Sequence, residues 1–312
     1  MLIILIYISA VSLSLIFIQS KYLILIDAPR EQTHKSIYNK NTPLTGGIYM
    51  FITITTYTLH TDYTNYSLLL ITLLFLFLIL GIFSDLKSNF SPKLRLILQF
   101  FLIVFFILFL DLKINKTGLF FLDYFINNSI FNLLFSSICI VILVNGSNFC
   151  DGVNCNVIGY YLIVCLAILY GEFPNLDNFP NIKIIIIIFF IFYLSNLFQK
   201  SFLGDNGVYV INIFMAIYLI NFINVNSYIS PLLALNLLWY PAFENLFTIV
   251  RRLNANKTID KADGLHFHTL LLKKIFKFNK NFIFSNSLTG ILLNTFMFIG
   301  IFLSTNYYDD AK

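Results

Sequence analysis

The sequence predicts an all-α fold, a polytopic membrane helix bundle of about ten transmembrane helices, with both termini outside and the polar loops cytoplasmic. Three observations carry this. Hydrophobic residues make up 58% of the 312 positions and charged residues 11%, against roughly 25% charged in a soluble domain. The apolar residues come in blocks close to the 20 or so that a spanning helix needs. Lys and Arg concentrate on alternate loops between those blocks.

The blocks run near residues 2–19, 45–60, 67–84, 94–112, 129–145, 156–171, 182–198, 207–223, 229–250 and 286–304. The second is rich in Thr, and the ninth holds Asn236, Pro241 and Glu244, so these two are the least apolar. The first lacks a basic n-region and a small-residue cleavage site, so a retained span is expected rather than a cleaved signal peptide. Short loops leave no room for a soluble domain, and there is no internal repeat. Residues 1–312 therefore read as one integral membrane domain. Cys139 and Cys165 fall inside blocks, while Cys150 and Cys155 share a loop at a spacing that fits neither a zinc site nor a redox pair.

Orientation follows from the basic residues, because short loops that carry them stay inside. Sixteen of the twenty Lys and Arg lie in the alternate loops near 20–44, 85–95, 146–155, 199–206 and 251–285, none of them in 146–155; Lys113, Lys116, Lys183 and Lys312 lie on the other side. The first set is therefore cytoplasmic. The net charge of +5 is then topological, with a contribution toward anionic lipid or phosphate, and gives no reason to expect nucleic acid.

Five polar constellations fall in the cytoplasmic set. The first is Asp27-Ala28-Pro29-Arg30, His34-Lys35 and Thr42-Pro43-Leu44-Thr45-Gly46-Gly47; paired glycines opening a helix admit a ligand close to the backbone, and a helix N-terminus favours anions. The plainer reading is a basic connector ending in a turn. The second is Ser84-Asp85-Leu86-Lys87 followed by Ser91-Pro92-Lys93-Leu94-Arg95, with Ser91 as an N-cap and Pro92 as the first helical residue. A carboxylate at the membrane edge is costly unless it meets a cation or a wet cleft, and pairing of Asp85 with Lys87 or Arg95 would suffice. The third, Asn145-Gly146-Ser147-Asn148-Phe149-Cys150-Asp151-Gly152-Val153-Asn154, spaces amides and a carboxylate every third residue on one helical face. Such oxygens suit Mg²⁺. The fourth, Gly204-Asp205-Asn206-Gly207, offers either a turn or a second carboxylate for that metal. The fifth runs from Arg251-Arg252 to Asp263-Gly264-Leu265-His266-Phe267-His268. Arg forks suit phosphate, and no Cys or third His stands near enough in sequence for zinc. Glu244, seven residues before Arg251, shares its helical face, so an ion pair between them is the structural alternative.

Carboxylates, amides, glycine turns, arginines and histidines at one membrane surface suit Mg²⁺-assisted phosphoryl transfer between a soluble nucleotide and a lipid-borne acceptor. A membrane transporter is the rival class, and it would place ionisable groups at mid-membrane on broken helices.

The ordered set D-x-P, H-K, P-x-x-G-G, x-D with S-P-x-x-R, N-x-x-N-x-x-D-G-x-N, G-D-x-G, R-R and D-x-x-H-x-H, from Asp27 to His268, resembles the polyprenyl-phosphate N-acetylhexosamine-1-phosphate transferases. The resemblance implies a multi-pass protein of the bacterial inner (cytoplasmic) membrane, with a homodimer as a candidate assembly. Such a protein transfers an N-acetylhexosamine-1-phosphate from a UDP-sugar to undecaprenyl phosphate, releases UMP, and starts a surface polysaccharide such as O-antigen. It also implies Mg²⁺, with Mn²⁺ as an alternative. Asp205 would hold the metal together with Asn148 and Asp151. Asp85, Asp151 and His266 would carry the chemistry. Asp27, Thr42, Gly46, Gly47, Asn145, Asn148, Asn154, Arg251, Arg252 and His268 would contact substrate. The family's muramoyl-pentapeptide branch has three consecutive histidines in the last loop; here His266-Phe267-His268 is followed by Thr269, which favours the branch that uses simple amino sugars.

Two positions depart from the family pattern. Ser84 stands where the first of two adjacent aspartates is usual, and Asn154 replaces an acidic residue. The first aspartate is often assigned as the base that deprotonates the lipid phosphate, which Ser84 cannot do; an impaired transferase homologue is the alternative this raises. A phosphate monoester has a second pKa near 6 and is largely dianionic at pH 7. Positioning and Mg²⁺ then suffice, and an active enzyme is expected.

Overall fold

The structure, a computed structural model, describes residues 2–22, 42–61, 64–86, 90–171, 173, 182–226, 228–255 and 264–305. Asp27, His34, Lys35, Lys87 and Asp263 lie outside the described residues. All thirteen elements among the described residues are helices: α1 (Leu2–Tyr22), α2 (Gly46–Thr61), α3 (Asn65–Leu86), α4 (Pro92–Leu110), α5 (Phe120–Ile126), α6 (Ser129–Cys150), α7 (Asn156–Tyr170), α8 (Ile182–Leu197), α9 (Gly204–Val225), α10 (Leu232–Leu237), α11 (Trp239–Asn254), α12 (Phe267–Asn279) and α13 (Phe282–Thr305). The chain is a polytopic membrane helix bundle. Helices α3, α4, α6, α9 and α13 are long and apolar enough to cross a bilayer by themselves. Large exposed apolar side chains, such as Phe101, Phe105, Leu108 and Phe109 on α4, are what a hydrocarbon solvent permits and water does not.

Each of the ten apolar blocks is helical, and the ninth is broken. Leu238 separates α10 from α11, and Pro241, which has no N–H to donate, sits in the first turn of α11. A carbonyl released at such a break needs a partner in a membrane. Leu237 O finds one in the Tyr160 hydroxyl at 2.7 Å. Two further helices were not anticipated. The seven-residue α5 is too short for a window of spanning length, and the four lysines near α12 read as loop.

The most buried span is α9, which packs against α2, α3 and α6. Gly47 and Gly81 permit this approach, since a Cβ at either would overlap Asn206 near the start of α9. The C-terminal ends of α3, α6 and α11 and the N-terminal ends of α2, α4, α9 and α12 meet at one end of the bundle, as the bonds below show. The opposite end is tied separately: Asn132 exchanges bonds with the Ile114 backbone at 2.8 and 3.2 Å, Asn224 Nδ2 donates to Lys113 O at 2.5 Å, and Asn221 Nδ2 donates to Tyr66 OH at 2.7 Å.

Candidate active site

Two polar clusters flank the C-terminal end of α6. The first centres on Asp205, in the opening turn of α9. Its Oδ1 accepts from Asn148 Nδ2 at 2.7 Å; its Oδ2 accepts from Ser84 Oγ at 2.5 Å and from Arg95 Nη1 at 3.0 Å. Arg95 Nη1 also donates to Ser84 Oγ at 2.8 Å. Asp85, one residue on, turns to the start of α9. It accepts from the backbone N–H groups of Asp205 (3.0 Å) and Asn206 (3.1 Å) and from Asn206 Nδ2 (2.5 Å). A carboxylate suits this place, because the first N–H groups of a helix have no partner within it and carry the positive end of its dipole. Asn206 in turn accepts from Gly47 N at 2.6 Å and donates to Leu44 O at 3.0 Å. The Thr42–Gly47 segment is thereby fastened to α9: Phe202 N–H donates to Pro43 O, Gly46 N–H to Phe202 O, and Thr42 is buried.

The second cluster is a stack. Arg252 lies over the Phe149 ring, 5.7 Å from its centroid. Phe149 stacks on His266 at 5.4 Å, and His266 on His268 at 5.5 Å, nearly parallel. His266 Nδ1 is 2.7 Å from Glu244 Oε1. Glu244, Arg252, His266 and His268 are all buried. Charged groups are tolerated there only in company. Gly152 lies against the His268 ring with no space for a Cβ, so the turn after α6 seats on the histidine loop.

The structure thus gathers Asp205, Asn148, Asp85, Gly46 and Gly47 on one side, and Arg252, His266 and His268 on the other. Asp151 is at the C-cap of α6 and Arg251 in the last turn of α11, at the same end. Two predicted residues are engaged away from both clusters. Asn145 donates to Gln99 Oε1 at 2.9 Å, joining α6 to α4. Asn154 takes Asn286 Oδ1 on its N–H at 2.8 Å and donates from Nδ2 to Ser287 Oγ at 3.1 Å, joining the loop to α13. Two pairings also differ from the structural alternatives read in the sequence. Arg95 pairs with Asp205 and not Asp85, and Glu244 pairs with His266 rather than with Arg251. The sequence reading overlooked Asn206 and Phe149, whose signals were their places inside the G-D-N-G and N-x-x-N-x-x-D motifs.

The donor set can be tested against a metal. Among the described residues no three His, Cys, Asp or Glu converge on one point. Around Asp205 stand a carboxylate, an amide and a hydroxyl, with a second carboxylate at the adjoining helix start. Asn148 presents its nitrogen here; the same amide rotated presents its oxygen. A few hard oxygens awaiting phosphates suit Mg²⁺, which takes one or two carboxylates and fills its shell with water and substrate. The residues fit.

Fold and site define a polytopic membrane protein with a charged, amide-lined reaction centre at one end of its bundle. The sequence pattern of glycosyl transferase family 4 matches residues 66–223, just over half of the chain. A relative from Bacillus subtilis (strain 168), a probable undecaprenyl-phosphate N-acetylglucosaminyl 1-phosphate transferase, is 26% identical over 258 residues, covering 79% of this chain and 70% of its own. The chain belongs to glycosyl transferase family 4, the transferase family that its loop motifs resemble. The matched segment contains Ser84, Asp85, Arg95, Asn148, Asp205 and Asn206; it begins after Gly46 and Gly47 and stops before Glu244 and the histidines.

Proposed function

We propose that this protein transfers an N-acetylhexosamine-1-phosphate from a UDP-sugar to undecaprenyl phosphate, releasing UMP at the cytoplasmic face of a bacterial inner membrane. The observation that carries this reading is Asp205, held among Ser84, Arg95 and Asn148 where four helix ends meet. Membership of family 4 and the name of the Bacillus relative support it. Mg²⁺, when bound at Asp205 with Asn148 and Asp151, would neutralise charge on the diphosphate. The remaining work falls to the protein. Asp85 fixes the start of α9 so that Asp205 is aimed. Arg252, His266 and His268 offer donors to phosphate or sugar from a rigid stack. The lipid phosphate, mostly dianionic at pH 7, attacks without a base at position 84, and orientation supplies the rate. Asp85, Asp151, Asp205, Arg252, His266 and His268 sit at helix ends, with Glu244 inside α11, which favours a surface reaction over transport. The distribution of basic residues among the loops supports a topology with both termini outside. The His266-Phe267-His268 pattern favours a simple amino sugar, and the product would begin an O-antigen or similar glycan. Purified protein with Mg²⁺ and undecaprenyl phosphate should release UMP from one of UDP-GlcNAc, UDP-GalNAc or their deoxy derivatives. No UMP from any of them would defeat the reading.

A further inference from the structure

Both oxygens of Asp205 are engaged, and one partner is itself a cation. The Arg95 guanidinium touches Oδ2 through Nη1, which is shared with Ser84 Oγ. The contact lacks the paired two-oxygen geometry of a strong Arg–carboxylate fork. Both side chains are open to solvent, Arg95 at 19% and Asp205 at 26%. A monodentate, partly exposed ion pair is weak and exchangeable. Ser84 contributes to this weakness, because a neutral hydroxyl gives the guanidinium a hydrogen-bond acceptor but no second anion. Two carboxylates held this close, Asp85 bonding the N–H of Asp205 itself, would repel each other without a positive charge between them.

We propose that Arg95 is a built-in counter-ion for Asp205 that a divalent cation displaces, so that filling the metal site and releasing the guanidinium are one exchange. Before the cation arrives, Arg95 offsets the charge of Asp205 and keeps the geometry of the cluster. Afterwards its positive charge is free to face an anionic substrate in the same cleft. This rests on the divalent-cation reading above, and it adds that the empty and loaded states differ in where Arg95 points.

Two measurements without substrate test it. Mn²⁺ binding to the detergent-solubilised full chain, followed by electron paramagnetic resonance of free Mn²⁺, should tighten about tenfold in Arg95→Gln. It should stay within about twofold in Lys93→Gln, an exposed lysine two residues away. In the wild-type protein, Mn²⁺ should speed phenylglyoxal modification of Arg95 several-fold, read by mass spectrometry. Arg95→Gln no tighter than wild type, an equal gain in Lys93→Gln, or an Arg95 modification rate indifferent to Mn²⁺ would each overturn the exchange. Asp205→Asn that still binds Mn²⁺ like wild type would overturn the metal assignment and the exchange together. Failure of UMP release alone leaves both measurements readable, since neither needs substrate.

Discussion

The Asp205 cluster and the histidine stack lie on either side of consecutive residues of α6, with Asn148 facing one and Phe149 the other, as the angular step of a helix requires. They hold charge by opposite means. Around Asp205 every partner is a single hydrogen bond from a side chain that can turn away, and the carboxylate is a quarter exposed. Around His266 the groups are locked between ring faces, and Glu244 is only 4% exposed. The first arrangement is the one that, on the proposed exchange, changes partners when a ligand arrives. The second is set beforehand and, on the proposed function, would hold a ligand without rearrangement, the economy that preorganised donors provide. One reaction centre thus divides into an exchangeable half and a rigid half, joined through a single helix end.

The largest expected effect breaks the exchangeable half. Asp205→Asn removes the carboxylate that anchors Ser84, Arg95 and Asn148, and kcat for UMP release should fall on the order of 10³-fold or more. Retention of helical content by circular dichroism would show that the loss is chemical. Turnover within a few-fold of wild type would remove Asp205 from the centre of the site. In the rigid half, Glu244→Gln keeps an oxygen for His266 Nδ1 but loses the charge, and Glu244→Ala loses both. Expected losses in kcat/KM are roughly tenfold and a hundredfold, falling mainly on KM because the stack holds substrate throughout the reaction. Glu244→Gln and His266→Gln should be strongly non-additive, whereas Glu244→Gln and Arg95→Lys, in separate clusters, should combine additively. Coupling between the halves as strong as within them would erase the distinction.

How much of this was legible follows from what each signal encodes. Apolar length announces a span, so the helices of the bundle could be read directly. The break at Leu238 could not, because apolar residues continue across it and Pro241 alone does not say whether a helix starts or kinks there. Motif order brought Asp85, Asn148, Asp205 and His266 to one end. Pairing was harder. Proximity in sequence favoured Asp85 for Arg95, yet the guanidinium reaches Asp205, 110 residues away, because Asp85 is already committed to the start of α9. Helical periodicity favoured Arg251 for Glu244, yet the partner is His266 from a separate loop. Local patterns give the face a side chain occupies, while the opposing element is set by tertiary packing.

Asn154 shows the same limit and yields the smallest expected effect. By motif it belongs with the nucleotide side of the cleft, but its N–H and amide are spent on Asn286 and Ser287 of α13. The residue is 3% exposed, while Ser287 is half-buried and its Oγ also donates to Leu197 O at 3.1 Å. Asn154→Ala keeps the backbone bond and loses only the amide, which should cost about 0.5–1.5 kcal/mol of stability. That should appear as a lower melting temperature in detergent. A structural joint should leave kcat/KM per folded molecule within about twofold, well short of the tenfold expected for Glu244→Gln. If UMP release instead falls tenfold while the melting temperature holds, Asn154 reaches substrate, and the rigid half of the site extends through the turn at Gly152 to the start of α13.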